Sequence, residues 1–403
     1  MVASIENNID IAPMNLTLAA GDIDGDGRLD IVISGRNGRM VWLENNGTAR
    51  AWVEHVIDDS VHDLERGGIL YDLTGSGLPD IINGGDWRSD EIWWWENPGR
   101  ADARWKKRLI ARTGKCQIHD ILVGDVTGAG VPSLLFTNQA GGADICRVEL
   151  PRDVRSDAWP PIELIATGKS EPNPYAKSGR QPEEGLAIGD VDGDGKPELV
   201  CGTHWYKYDR GQWQGHRFAQ GYITTLAAVG DLDGDGRNEI VLTESDPCAY
   251  GNMQGGRLSW FKPGRDVNAL WEEHPIASGL LDPHSLKLAD LFGNGRVDIF
   301  SGEAGTLGRG WFDRAFNAAE RILGIPQRER KKYALRPPQL LMFENDGAGA
   351  FTRHVVDEGT GIHDGLLADL LNRGVADIVG KPLYGAEKWN VHVWFREPAQ
   401  GAK

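Results

Sequence analysis

Residues 21–32 read Gly-Asp-Ile-Asp-Gly-Asp-Gly-Arg-Leu-Asp-Ile-Val. Carboxylates stand at alternate positions (Asp22, Asp24, Asp26), glycines lie between and after them, and a further acid, Asp30, precedes an apolar run. This is the chemistry of a loop wrapped round a hard cation. Alternating side chains supply oxygens, the glycines allow the sharp turn, and a backbone carbonyl near Arg28 completes the series. The β-branched residues that follow mark a strand rather than a helix.

The stretch recurs. Its copies open at Asp22, Asp72, Asp125, Asp190, Asp231, Asp290 and Asp369. Each follows a short apolar run and precedes a β-branched one, which reads as strand, tight loop, strand. A third strand with an aromatic comes next, as in Met40–Asn45, Ile92–Asn97, Arg257–Lys262, Leu340–Asn345 and Val391–Arg396. A fourth often opens on an aromatic with a basic residue three places on, as in Trp52/His55, Trp105/Arg108, Trp213/His216, Trp271/His274 and Phe351/His354. Four strands recurring every ~40 to 80 residues predict propeller blades. The expected fold is therefore an all-β, seven-bladed β-propeller of four-stranded blades, forming one domain over residues 1–403. The chain stops after the third strand of repeat seven. The segment Ile5–Ala12 is expected to add the missing strand and close the ring, which removes an exposed sheet edge. An insertion at about 304–339 in repeat six has helical spacing over Trp311–Leu323 and reads as a lid.

Charge and composition exclude several classes. A net charge of -16 without a basic stripe argues against nucleic acid as a partner. No apolar run approaches the ~20 residues of a membrane span. The four cysteines lack metal-type spacing and read as buried thiols, with one disulfide left open. The opening MVASIENNIDIAP is not a signal peptide. A secreted or periplasmic protein with its leader trimmed is favoured over a cytoplasmic one, and a monomer is expected.

These repeats resemble the FG-GAP/VCBS propellers, and the resemblance spans essentially the whole chain. Relatives of that kind include integrin heads, lectins, and carbohydrate lyases and dehydratases such as aldos-2-ulose dehydratase. The resemblance implies structural calcium in the loops. Repeat one would use Asp22, Asp24, Asp26, the Arg28 carbonyl and Asp30. Repeat four would use Asp190, Asp192, Asp194, the Lys196 carbonyl and Glu198. Repeat five would use Asp231, Asp233, Asp235, the Arg237 carbonyl and Glu239. Asp290, Asn294 and Asp298 make a weaker site in repeat six, and repeats two, three and seven are expected to be empty. Three to four calcium ions follow, each bracing a blade.

Function should lie on the opposite face. The residue six places before each loop Asp is Leu16, Arg66, His119, Glu184, Thr225, His284 and His363. These positions begin the innermost strands and should converge on the mouth of the channel. Burying such groups unpaired costs about a few kcal/mol each, so a polar ligand or ion is expected among them. With Glu184, the three histidines could hold an additional metal, or one could act as a base. Arg66, Arg180 or Lys381 would stabilise developing charge. His62, His204, Tyr206 and Tyr384 complete the catalytic candidates. Trp87, Arg88, Trp205, Glu244 and Glu303 would contact substrate, with Tyr206 and Tyr384 adding aromatic wall. By contrast, His55, His216, His274 and His354 share one place on the fourth strand and read as blade packing.

The most economical chemistry is β-elimination on a sugar, either cleavage beside a uronate or dehydration of a keto-sugar. A calcium-dependent lectin or adhesion module, and a glycoside hydrolase using Asp63 with Glu184 or Glu303, are the alternatives.

Overall fold

The opening Asp of all seven loops, intact or degraded, accepts backbone N–H bonds from residues four or five places on. Asp22 accepts from Asp26 and Gly27, Asp72 from Ser76 and Gly77, and Asp125 from Ala129 and Gly130. Asp190 and Asp231 accept from Gly195 and Gly236, Asp290 from Asn294 and Gly295, and Asp369 from Arg373 and Gly374. The carboxylate folds the loop by itself, which is why the opening Asp survives in repeats too poor in acid to hold an ion. The glycine at the fifth place has a positive φ, as at Gly27 (83°) and Gly195 (85°), a region open to glycine at little cost.

In this computed structural model the described residues are 2–6 (backbone only), 17–36, 38–60, 63–140, 144–155, 158–167, 184–248, 252, 254–305, 336–382 and 390–396. They form seven four-stranded antiparallel sheets, a seven-bladed β-propeller, with no helix among them. Blade one runs Thr17–Gly21, Asp30–Ser34, Met40–Asn45, Trp52–Asp58 from the axis outward, and the other blades repeat this order. The expected helix at Trp311–Leu323 lies outside the described residues.

Blade seven closes the ring. Its strands Asp364–Ala368, Asp377–Lys381 and Asn390–Trp394 are completed by Val2–Glu6, with Val2 opposite Trp394 and Glu6 opposite Asn390. The closing strand therefore starts three residues before the expected Ile5. Residues 7–16 lie outside the described set.

The core is a set of seams between blades rather than one centre. Ile31, Ile33 and Val41 of blade one pack with Val379, Val391 and Val393 of blade seven across the closure. The fourth-strand histidines are structural, as expected. His55, His216 and His274 stack on Trp42, Trp205 and Trp260 of their third strands, with ring centroids 4.3, 4.2 and 4.0 Å apart.

This packing corrects one expectation. Trp205 and Tyr206 are not aromatic walls of the mouth. They lie on the third strand of blade four, His204–Asp209, and are 1% and 2% exposed in the seams with blades five and three. Trp205→Ala is accordingly expected to cost about 3–5 kcal/mol of stability, as for other large-to-small core changes. Denaturant unfolding would measure the loss, and affinity for any mouth ligand should stay unchanged in the folded fraction.

Candidate functional site at the channel mouth

Two local irregularities aim histidines at the axis. On the first strand of blade three, Ile118 pairs with Asn138 and Ile121 with Phe136, so His119 and Asp120 share one opposing residue. On that of blade six, Pro283 pairs with Glu303 and Ser285 with Gly302, which leaves His284 as the extra residue. Such bulges re-aim side chains. Glycine permits the crowding that results. Gly67 (φ 94°) and Gly185 (φ 76°) follow Arg66 and Glu184, and a Cβ on either would strike the backbone of the next blade.

The ring nitrogens and carboxylates then meet. One ligand atom from each of His119, Glu184 and His284 lies within 4.8 Å of the others, and all three residues are buried. His119 Nε2 is 3.9 Å from Glu184 Oε1, and His284 Nε2 is 3.4 Å from Asp246 Oδ2. The far side of each group is held. His119 Nδ1 lies 2.8 Å from Asp120, which also accepts from the Gly185 N–H at 3.1 Å. His284 Nδ1 donates to the His363 carbonyl at 3.1 Å, and its Nε2 faces the Asp246 carboxylate. Gln139 and Ser245 donate to the two oxygens of Glu184. The His363 ring stacks on His284 at 3.8 Å, and its Nδ1 has no partner. Arg66 is buried with its guanidinium 3.8 Å from Asp364.

The electrostatics show a pocket that favours positive charge at its centre. Burial works against a charged His119, but Glu184 and Asp120 outweigh it and raise its pKa to about 9. Burial likewise opposes charge on Asp120 and Asp246, and the neighbouring histidines and Arg66 hold both below the usual carboxylate range. His363 goes the other way. Burial, then His284, Arg66, His119 and Arg36, hold it well below an ordinary histidine, as a neutral ring. Lys287, on the His284 strand, keeps an exposed side chain amid surrounding protein, and desolvation by that protein lowers its pKa.

Other expected site residues fall elsewhere. Glu303 is fully buried, accepts from Leu281 N–H and Gln339 N–H, and pairs with Arg336 at 2.6 Å. Its capacity is used, so neither substrate contact nor a hydrolase pair can be built on it. Glu244 is buried and forks to Arg257. Lys381 is buried and donates to the Pro382 carbonyl. His204 starts a third strand, not the end of a second, and contacts Thr203 at 3.1 Å. Asp63, the other half of the hydrolase pair, is bound to Arg88 at 2.6 Å. Trp87 is 47% exposed, with Arg36 lying 4.1 Å over its ring and Arg88 beside it. His62, Arg180 and Tyr384 lie outside the described residues. Asp246, Gln139 and Ser245 were missed. Asp246 stands two residues past the strand Glu239–Glu244, where the sequence reading stopped.

Family models described as FG-GAP repeat and FG-GAP-like repeat match residues 14–53 and 190–242. The chain is a β-propeller that carries FG-GAP repeats. No curated protein matches it. Among solved structures it is similar to the BP39L lectin of Burkholderia pseudomallei, at 14% identity and TM-score 0.58, over 94% of this chain and 95% of the lectin. Rhamnogalacturonan lyase YesW matches at 15% identity and TM-score 0.42, over 94% and 71%. The biofilm matrix protein Bap1 of V. cholerae matches at 11% and 0.49, over 99% and 90%. Similarity at these identities speaks to the fold alone.

The FG-GAP loops differ in how well they suit the implied calcium. Asp22, Asp24 and Asp30 of blade one converge, and Arg28 pairs with the neighbouring Asp26. Burial raises the pKa of Asp24 despite a backbone bond from Asp26, and the acids Asp26, Glu44 and Asp22 raise it further. These residues fit a divalent cation. In blade six, Phe292 and Asn294 stand where blade one has Asp24 and Asp26, so the loop has two carboxylates fewer, while Asp298 accepts from Leu291, Phe292 and Asn345 N–H much as Asp30 does from Ile23 and Asn45. That loop is braced by its own backbone.

Proposed function

We propose that the mouth is a metal-assisted carbohydrate lyase site acting by β-elimination on an acidic or keto-sugar. The observation that carries the reading is the convergence of His119, Glu184 and His284, with Asp246 beside His284 Nε2. Each of the two imidazoles is fixed by a bond on its other nitrogen, the arrangement that orients metal-ligating histidine. Two histidines with carboxylates suit zinc or another transition ion. Held there, such an ion would polarise a substrate carboxylate or carbonyl oxygen.

The chain's own residues would do the rest. Trp87, with Arg36 and Arg88, offers an exposed platform for a sugar ring. Arg66 supplies fixed positive charge beside the enolate that forms. His363, neutral and with an unpartnered ring nitrogen, takes the proton from the carbon α to the carbonyl. The electrons of that C–H bond form the C=C bond as the β C–O bond breaks, and the leaving oxygen takes its proton from water. The calcium loop of blade one is structural in this reading, and the sugar substrate accords with an extracytoplasmic protein.

The experiment is incubation with uronate oligosaccharides and keto-sugars while following the ultraviolet absorbance of an unsaturated product. Product is expected, lost on chelation and restored by a transition ion. Binding without product would favour a lectin, for which the Trp87 platform alone suffices. Neither binding nor product would remove both readings.

A further inference from the structure

In two of the three loops with a full set of acids a lysine from the third strand bridges two of the acids, whereas in blade one Arg28, from the loop itself, pairs with Asp26. In blade four, Lys207 Nζ contacts Asp192, lies 2.7 Å from Asp194 and 3.9 Å from Glu198. In blade five, Lys262 Nζ contacts Asp233 and lies 2.8 Å from Asp235. Both lysines stand on the third strand, two residues past the tryptophan that stacks on the fourth-strand histidine (Trp205, Trp260). They face the last acid of the loop, one step along from the pairs Leu199–Tyr206 and Ile240–Phe261. The same place in blade one, two past Trp42, is Glu44, bound to His55 at 2.7 Å. The difference between the loops is thus a charge reversal at one position.

We propose that Lys207 and Lys262 are the resident cations of blades four and five and take calcium's place there. An ammonium offers three N–H donors and a full positive charge, enough for the two aspartates and a nearby glutamate. Calcium needs six to eight oxygens at about 2.3–2.6 Å. An ion among these oxygens would sit against the ammonium, so the two exclude one another. The lysine is tethered by its strand, at an effective concentration of order mM. Calcium must displace it and then leave a long cationic side chain without its partners. These blades are therefore braced without added metal, and calcium dependence is confined to loops such as that of blade one. The inference does not depend on what the channel mouth does.

Calcium chloride binding to the metal-stripped full chain, counted by equilibrium dialysis, tests it. Asp192→Asn and Asp233→Asn are expected to leave the wild-type calcium count unchanged. Lys207→Met and Lys262→Met should each raise it by one and make stability sensitive to a calcium chelator, while Lys207→Arg keeps the wild-type count. A wild-type count that falls by one with each aspartate variant would overturn the proposal. That arm decides even if a lysine variant folds poorly.

Discussion

Under the proposed lyase reading, replacing His284 by alanine is expected to abolish metal binding at the mouth and to lower turnover by at least a hundredfold. His284 contributes the Nε2 nearest Asp246, and the residue itself is 1% exposed. Its loss opens the cluster of His119, Glu184 and Asp246 to a three-ligand site with excess negative charge. Asp120→Asn makes the companion test, because Asp120 touches His119 from behind and not the convergence point. Removing such an outer partner typically costs about 10–100-fold in metal affinity or activity. Metal content after dialysis, read by mass spectrometry, should fall to background in His284→Ala. In Asp120→Asn it should recover at higher metal concentration. His284→Ala should remain folded, since the ladder between the first and second strands of blade six is made by backbone groups. A variant that keeps both metal and turnover would contradict the reading, and one that unfolds would assign His284 to the fold.

The architecture was legible because it is written seven times. The spacing from opening Asp to β-branched strand survives in repeats whose acids have decayed, since Asp72, Asp125 and Asp369 are needed to bind backbone N–H groups. The mouth was legible in part for the same reason. Counting six residues back from each Asp reaches Arg66, His119, Glu184, His284 and His363, and these lie together. What the ruler could not supply was anything off the first strand. Asp246, Gln139 and Ser245 come from the ends of second strands, where connections differ in length between blades. Trp205 was misplaced because blade four joins its second and third strands by two residues, Gly202 and Thr203. A run that continues into the mouth-face loop in blade two already turns back into the sheet in blade four. The lysines in the acidic loops were visible in the sequence, but only a pairing register shows which residue a loop acid faces.

Gly185→Ala is expected to damage stability and the mouth together, and it tests how the two are joined. Gly185 has φ of 76°, and an added Cβ would lie 2.5 Å from Leu226 Cα, 2.6 Å from Ala227 N and 2.8 Å from the Thr225 carbonyl oxygen. Those are backbone atoms of the blade five inner strand, so no side chain can swing aside. A left-handed alanine costs roughly 1–2 kcal/mol. Forcing an extra methyl into a packed interior adds about 1–3 kcal/mol. Gly195→Ala is the control: its φ is 85°, yet nothing lies within 4 Å of the added Cβ, so only the conformational cost applies. The difference between the two variants in denaturant unfolding isolates the clash between blades. The same displacement must move Glu184, the preceding residue, and loosen the Gly185 N–H bond to Asp120 that backs His119. Metal affinity at the mouth should therefore fall in Gly185→Ala under conditions where it remains folded, and stay unchanged in Gly195→Ala. Equal stability losses in the two variants would mean that the blades can part without cost. The close approach of inner strands would then not be what sets the ligand geometry.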